Sequence, residues 1–221
     1  MMRYVLLLIG LLGLGIFPCF ALFAAMNMSE NQLEKATAIA RKSLGDLPGL
    51  VRQIDAKTLG FDDPKQVGAA TLGTPLGDYM VRLDELKEYR AGQTATELLH
   101  ATGRLIYPLV VNQSPKSALI LKPGPEGWAL ESFGSANQIR MVTELRKKLA
   151  QREGQAEKAL FQVRIPALQL LFVGVERNGV IGLAPLFDMP TYGLKKGEVY
   201  PAAQVLEKLV EAARNHNGEP S

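Results

Sequence analysis

Ala167-Leu168-Gln169-Leu170-Leu171-Phe172-Val173-Gly174-Val175-Glu176-Arg177-Asn178-Gly179-Val180-Ile181-Gly182-Leu183-Ala184-Pro185-Leu186-Phe187 is the stretch on which the fold turns. Two apolar runs, 167–175 and 180–187, flank Glu176-Arg177-Asn178-Gly179. Asn-Gly supplies the positive φ angles of a tight type I′ turn, so the runs read as two antiparallel strands. Upstream, the apolar runs Leu105–Val111 and Ala118–Leu121, then Pro123-Gly124-Pro125-Glu126-Gly127 and Trp128–Phe133, read as a short antiparallel meander. Consecutive hairpins argue against a doubly wound sheet. They predict an α+β fold with an antiparallel or mixed sheet.

Helical periodicity surrounds these strands. Ser29-Glu30-Asn31-Gln32 has capping-box form, and Leu33, Ala36, Ile39, Ala40 and Leu44 recur at helical spacing before Gly45. Residues 45–77, with Pro48, Pro64 and Pro75, read as loops around a short helical piece near Leu50–Ala56. A helix is predicted from Asp84 to about Thr102. Ser135-Ala136-Asn137-Gln138 is a second capping-box candidate, followed by Ile139, Val142, Leu145 and Leu149 on one face. Pro201 stands at a first helical turn, ahead of the stripe Val205, Leu206, Leu209, Val210 and Ala213. The sheet is thus expected to be covered by about four helices, near 30–44, 84–102, 135–152 and 201–214, with a frayed tail over 215–221.

The N-terminal residues place the chain. Tyr4–Met26 contains no charged side chain and follows Arg3, the pattern of an export segment whose basic end stays cytoplasmic. Residues 1–28 are therefore read as a signal peptide or membrane anchor, and 29–214 as one extracytoplasmic domain, periplasmic or secreted. The apolar run is long enough to span a bilayer, but Gly10, Gly13, Gly15 and Pro18 weaken a permanent helix, and Ala21, Ala24 and Ala25 offer small residues near a cleavage point. Cys19 is the single cysteine, and Ile16-Phe17-Pro18 before it lacks the small residue of a lipidation site. A mature domain beginning after Cys19 has no disulfide, thiolate or cysteine metal site.

Composition is that of an ordinary globular protein: 221 residues, 47% hydrophobic and 21% charged, with 25 basic and 22 acidic side chains. A net charge of +3 gives no reason to expect nucleic acid as a partner. Pro75-Leu76-Gly77-Asp78 matches Pro185-Leu186-Phe187-Asp188, and similarity continues from 75–98 to 185–209, the pattern of two related lobes. Chance matching of common residues explains it better, because the intervening segments do not align.

Chemistry is sparse. Of the two histidines, His216 lies in the polar tail and His100 near an expected helix end, where dipole and hydrogen-bond roles are ordinary. Asp62-Asp63 before Pro64 reads as a helix start or turn rather than a cation site. No phosphate loop or dinucleotide glycine pattern occurs in the mature chain, and Gly134-Ser135 has no G-x-S-x-G frame. Arg140, Arg146, Lys147, Lys148 and Arg152, interrupted by Glu144, read as a solvated outer helix face. Trp128 reads as a packing residue.

The segment Asp188-Met189-Pro190-Thr191-Tyr192-Gly193-Leu194-Lys195-Lys196-Gly197 connects the hairpin to the final helix, where a rigid sheet can position binding groups. Asp188, Tyr192, Lys195 and Lys196 are its candidate binding residues; no catalytic residue, metal ligand or cofactor is assigned. The expected function is an exported, non-catalytic cell-envelope binding or assembly factor, contacting another envelope protein or a small polar ligand. Membrane contact is expected only through residues 4–26 if they are not removed. The rivals are a carboxylate-dependent hydrolase using Asp188 and Tyr192, and a membrane-anchored structural component.

Overall fold

The computed structural model describes residues 28–51, 55–125 and 127–218. The expected export segment, with Cys19 and residues 4–26, lies outside the described residues. In chain order the elements are α1 (Glu30–Val51), α2 (Pro64–Gly68), β1 (Thr71–Leu72), β2 (Leu76–Met80), α3 (Leu83–Glu88), β3 (His100–Val111), β4 (Ser114–Gly124), β5 (Gly127–Gly134), α4 (Ala136–Glu153), β6 (Phe161–Ile165), β7 (Leu170–Arg177), β8 (Val180–Pro185), β9 (Tyr200–Pro201) and α5 (Ala202–Asn215). The fold is mixed α+β, with one nine-stranded sheet in the order β5-β4-β3-β2-β6-β7-β8-β9 and β1 also paired to β3.

The hairpin forms as its turn chemistry dictates. Arg177 pairs with Val180 across Asn178 (φ 51) and Gly179 (φ 80), the two positive-φ residues of the turn. The meander β3-β4-β5 is antiparallel throughout. What makes the sheet mixed is β6, which runs parallel to β2 and joins the meander to the hairpin.

Side-chain alternation splits the sheet into two faces. Ile106 and Ala118, with Val173, Val175 and Ala184, pack against Ile139, Val142 and Leu149 of α4. On the opposite face, Leu105, Tyr107, Leu109, Leu119 and Leu121 meet Ala36, Ala40 and Leu47 of α1. Phe161, Val163, Phe172 and Leu183 meet Leu86 of α3 and Val205, Leu206 and Leu209 of α5 there as well. One helix therefore covers one face, while the remaining helices cover the other. Trp128 is partly buried against the α1 side, a packing role as expected.

Two expectations about helix extent are corrected. The Ser29 capping box forms, with Gln32 N donating to Ser29 Oγ at 3.3 Å and Ser29 N to Gln32 Oε1 at 3.2 Å. The helix it opens does not stop near Gly45; it continues through Pro48 to Val51. The buried positions Ala36, Ala40, Ser43 and Leu47 form one stripe across Gly45, so burying Leu47 outweighs the lost Pro48 bond. The helix expected over 84–102 ends at Glu88, where Tyr89 turns extended (ψ 137), buries its ring and donates from its hydroxyl to Gln93 O at 3.0 Å. Only a short 3-10 turn, Ala95–Leu98, follows before β3.

The helix over 135–152 is present as α4, but Ser135 does not cap it: the residue is left-handed (φ 58, ψ 34) and its side chain makes no cap bond. Its carbonyl accepts from Ile139 N at 2.9 Å instead. Arg146 of that helix is buried rather than solvated, because it lies four residues beyond Val142 on the stripe that faces the sheet.

Candidate functional site

The polar centre of the molecule lies where the parallel strands β2 and β6 meet. Asp78 stands opposite Gln162, and Met80 opposite Arg164. On its other side β2 pairs with β3, but Gly77 and Tyr79 oppose Leu105 and Ala101, so β3 carries two extra residues there. That bulge, which Gly103 allows by taking φ 74, brings the Thr102 hydroxyl onto Asp78. Thr102 Oγ1 lies 3.0 Å from both the backbone oxygen and Oδ2 of Asp78.

A buried carboxylate needs compensating donors, and Asp78 has a full set. Its Oδ1 accepts from Gln162 Nε2 (2.9 Å) and Arg164 Nε (2.8 Å), and its Oδ2 from Arg164 Nη2 (2.6 Å) and Thr102. The Asp78 side chain is 1% exposed and that of Arg164 26%, so the pair runs from the core to an opening. Gln138 Nε2, from the first turn of α4, donates to Gln162 Oε1 at 3.2 Å. The glutamine expected in a capping box is therefore tied to the sheet.

Above this floor lies a cavity of about 110 Å³. Its polar lining is Asp78, Arg104, Ser135, Gln138, Gln162 and Arg164, and Ile106, Ala118, Ile120 and Ile139 supply the apolar wall. Arg104 Nη2 donates to Glu131 Oε1 at 2.6 Å. That bond raises the pKa of Arg104 and lowers that of Glu131, keeping both charged at neutral pH. A guanidinium has five N–H donors, and these bonds leave each arginine with N–H groups to offer. The arrangement can orient a carboxylate or another small anion.

The four residues singled out from sequence lie elsewhere, in the connection between β8 and β9. Asp188 is exposed and its Oδ1 accepts from Lys196 N at 2.8 Å. Lys195 N donates to Tyr200 Oη at 3.0 Å, and Tyr192 packs partly buried on the α5 side while its carbonyl accepts from Lys208 Nζ at 2.8 Å. Asp188 and Lys196 are brought together through the backbone, whereas the Lys195 and Lys196 side chains are exposed. None of the four lines the cavity.

His100 also departs from expectation: it opens β3 rather than ending a helix, and its Nε2 contacts the Glu85 carboxylate. Asp63 does start a helix, accepting from Lys65 N at 2.7 Å with Pro64 in the first turn, while Asp62 pairs with Lys116 at 2.7 Å. Among the described residues no group of histidine, cysteine and carboxylate side chains is placed to hold a metal, and no helix is long and apolar enough to cross a membrane.

Sequence reasoning missed the cavity, although one signal pointed to it. Phe161-Gln162-Val163-Arg164-Ile165 alternates strictly between apolar and polar, the pattern of a strand with one face in the core and the other toward a polar space. Comparison with protein-family models, curated proteins and solved structures finds no match to this chain.

Proposed function

We propose that this chain is an exported, non-catalytic binding factor of the cell envelope, and that it holds a small anionic group of its ligand in the cavity between Arg104, Arg164 and the start of α4. The observation that carries the reading is the division of labour around Asp78. The carboxylate is bonded to Thr102, Gln162 and Arg164, so it fixes Arg164, whose remaining guanidinium donors are left to face a ligand. Export rests on the uncharged Tyr4–Met26 run.

The test is a calorimetric titration of the purified protein with acetate, glutarate and inorganic phosphate, repeated on Arg104→Gln. At least one anion is expected to bind, and Arg104→Gln to weaken it by about tenfold, the loss of one charge-assisted contact. Absence of binding for all three, or equal binding by the variant, would overturn the assignment.

A further inference from the structure

We infer that the ligand is an extended acidic peptide segment of a partner protein, with one carboxylate side chain in the cavity and the chain running across the start of α4; this rests on the anion-binding reading above. The cavity does not end at α4. Ser135 and Gln138 also line a second groove of about 880 Å³, so the two spaces share the start of the helix. Its floor exists because Gly60 comes so close to the strand that an added Cβ would lie 2.2 Å from Lys116 O and 2.3 Å from Ala136 Cβ. The groove is lined in part by Lys57, Lys116 and Arg140, with Asp62 as its carboxylate.

Charge complementarity selects the occupant. Five cationic side chains line the two spaces against two carboxylates, and both carboxylates are engaged, Asp62 by Lys116 and Asp78 by Arg164. Glu131, just outside the lining, is taken up by Arg104. With Glu131 on Arg104, three of the five cations are paired, which leaves Lys57 and Arg140 as the surplus positive charge along the groove. The uncapped start of α4 favours negative charge in the same place.

Size separates a peptide from a compact metabolite. A small-molecule site encloses most of its ligand. Here the cavity of about 110 Å³ admits a carboxylate-bearing side chain, and the larger, adjoining groove shares Ser135 and Gln138 with it and can seat the chain that carries that side chain. An extended chain with alternate acidic side chains fits both.

The experiment measures fluorescence anisotropy of two labelled decapeptides, alternating Gly-Glu and alternating Gly-Lys, on protein purified from cells expressing the full chain, with glutarate as competitor. The Glu peptide is expected to bind, the Lys peptide not, and affinity to fall as salt rises past about 0.15 M. Lys57→Gln with Arg140→Gln is expected to weaken the Glu peptide about fivefold or more, because two cations are removed. These exposed residues make misfolding a poor explanation, which circular dichroism checks. Equal binding of the two peptides, or no effect of the double variant, overturns the inference. If glutarate alone binds and Arg104→Gln abolishes it, the anion site stands and the peptide is lost; if neither glutarate nor peptide binds, both readings fall.

Discussion

Arg164 grips Asp78 with two hydrogen bonds, Nε to Oδ1 at 2.8 Å and Nη2 to Oδ2 at 2.6 Å, diagonally across the one pair of strands that runs parallel among the described residues. The bond ties the meander half of the sheet to the hairpin half, because β2 belongs to the first and β6 to the second. It also aims the remaining guanidinium donors at the cavity. One contact therefore joins the two strands and, in the proposed reading, holds the arginine that would meet the ligand.

Removing both partners should cost less than the sum of removing each. Asp78→Leu strands a guanidinium that is 26% exposed, so partial solvation limits the penalty to about 2–3 kcal/mol, below that of a fully buried orphan charge. Asp78→Leu with Arg164→Met leaves neither charge unpaired, and its loss is expected to be smaller than the sum of the single changes by about 1–2 kcal/mol. Urea unfolding of the native protein, Asp78→Leu, Arg164→Met and the double variant closes the cycle; strict additivity would mean that the pair does not couple the two halves.

The parts of this architecture that were legible from sequence are those written in local chemistry. Asn178-Gly179 announces the hairpin, and the Ile139, Val142, Leu145 and Leu149 stripe announces α4. The β2–β6 pairing brings together residues such as Asp78 and Gln162 that are far apart in the chain, and no local pattern encodes a partner so distant. The cavity is built on that pairing, which is why a surface loop with conspicuous residues drew notice instead. Arg146 was hidden for a related reason: a charged residue at a buried helical position looks solvated until the carbonyls it meets are known.

Acid should weaken the fold through two particular carboxylates. Arg104 holds the Glu131 pKa below its ordinary value near 4.5, and Arg177, with Arg152, does the same for Glu153. A carboxyl lowered in the folded state adds stability that is complete above the unfolded value and disappears as pH falls through the folded one. Stability is therefore expected to be flat near neutrality and to drop below about pH 4.5, with a shallower drop in Glu131→Gln and in Glu153→Gln. Urea midpoints measured across that range check it, and an unchanged slope in both variants would remove these pairs from the account.

Glycines of similar appearance should respond oppositely to alanine. At Gly174 an added Cβ would lie 2.3 Å from Phe161 Cε2, inside a ring that is fully buried against Tyr79, so Gly174→Ala should cost about 1–3 kcal/mol by overpacking. At Gly45, inside α1, nothing lies within 4 Å, and Gly45→Ala should stabilise by up to about 1 kcal/mol. Gly179→Ala meets no atom either but must hold φ 80, a cost of about 1 kcal/mol. Thermal melting of the three variants separates packing, helix propensity and turn conformation.

The buried Arg146 should prove structural through its carbonyl contacts rather than through its charge. Its Nη1 and Nη2 donate to Pro75 O at 3.1 Å and Thr74 O at 2.6 Å, Glu157 lies 3.5 Å away, and Nε has no partner. Burial pushes its pKa below the ordinary arginine value in spite of Glu157, so burial disfavours the charge, and the carbonyl bonds offset part of that cost. Thr74 and Pro75 lead directly into β2, which places Asp78 at the cavity. Arg146→Ala should therefore lose about 3–5 kcal/mol, and Arg146→Met about 2–3 kcal/mol because it refills the stem volume and leaves the carbonyls unpaired. Arg146→Lys should lose least, since an ammonium can still reach one carbonyl. Hydrogen exchange at Leu76–Met80 should quicken in the same order, Ala above Met above Lys. If Met matches the native protein in both stability and exchange, the stem alone accounts for Arg146 and the carbonyl bonds contribute nothing to holding β2.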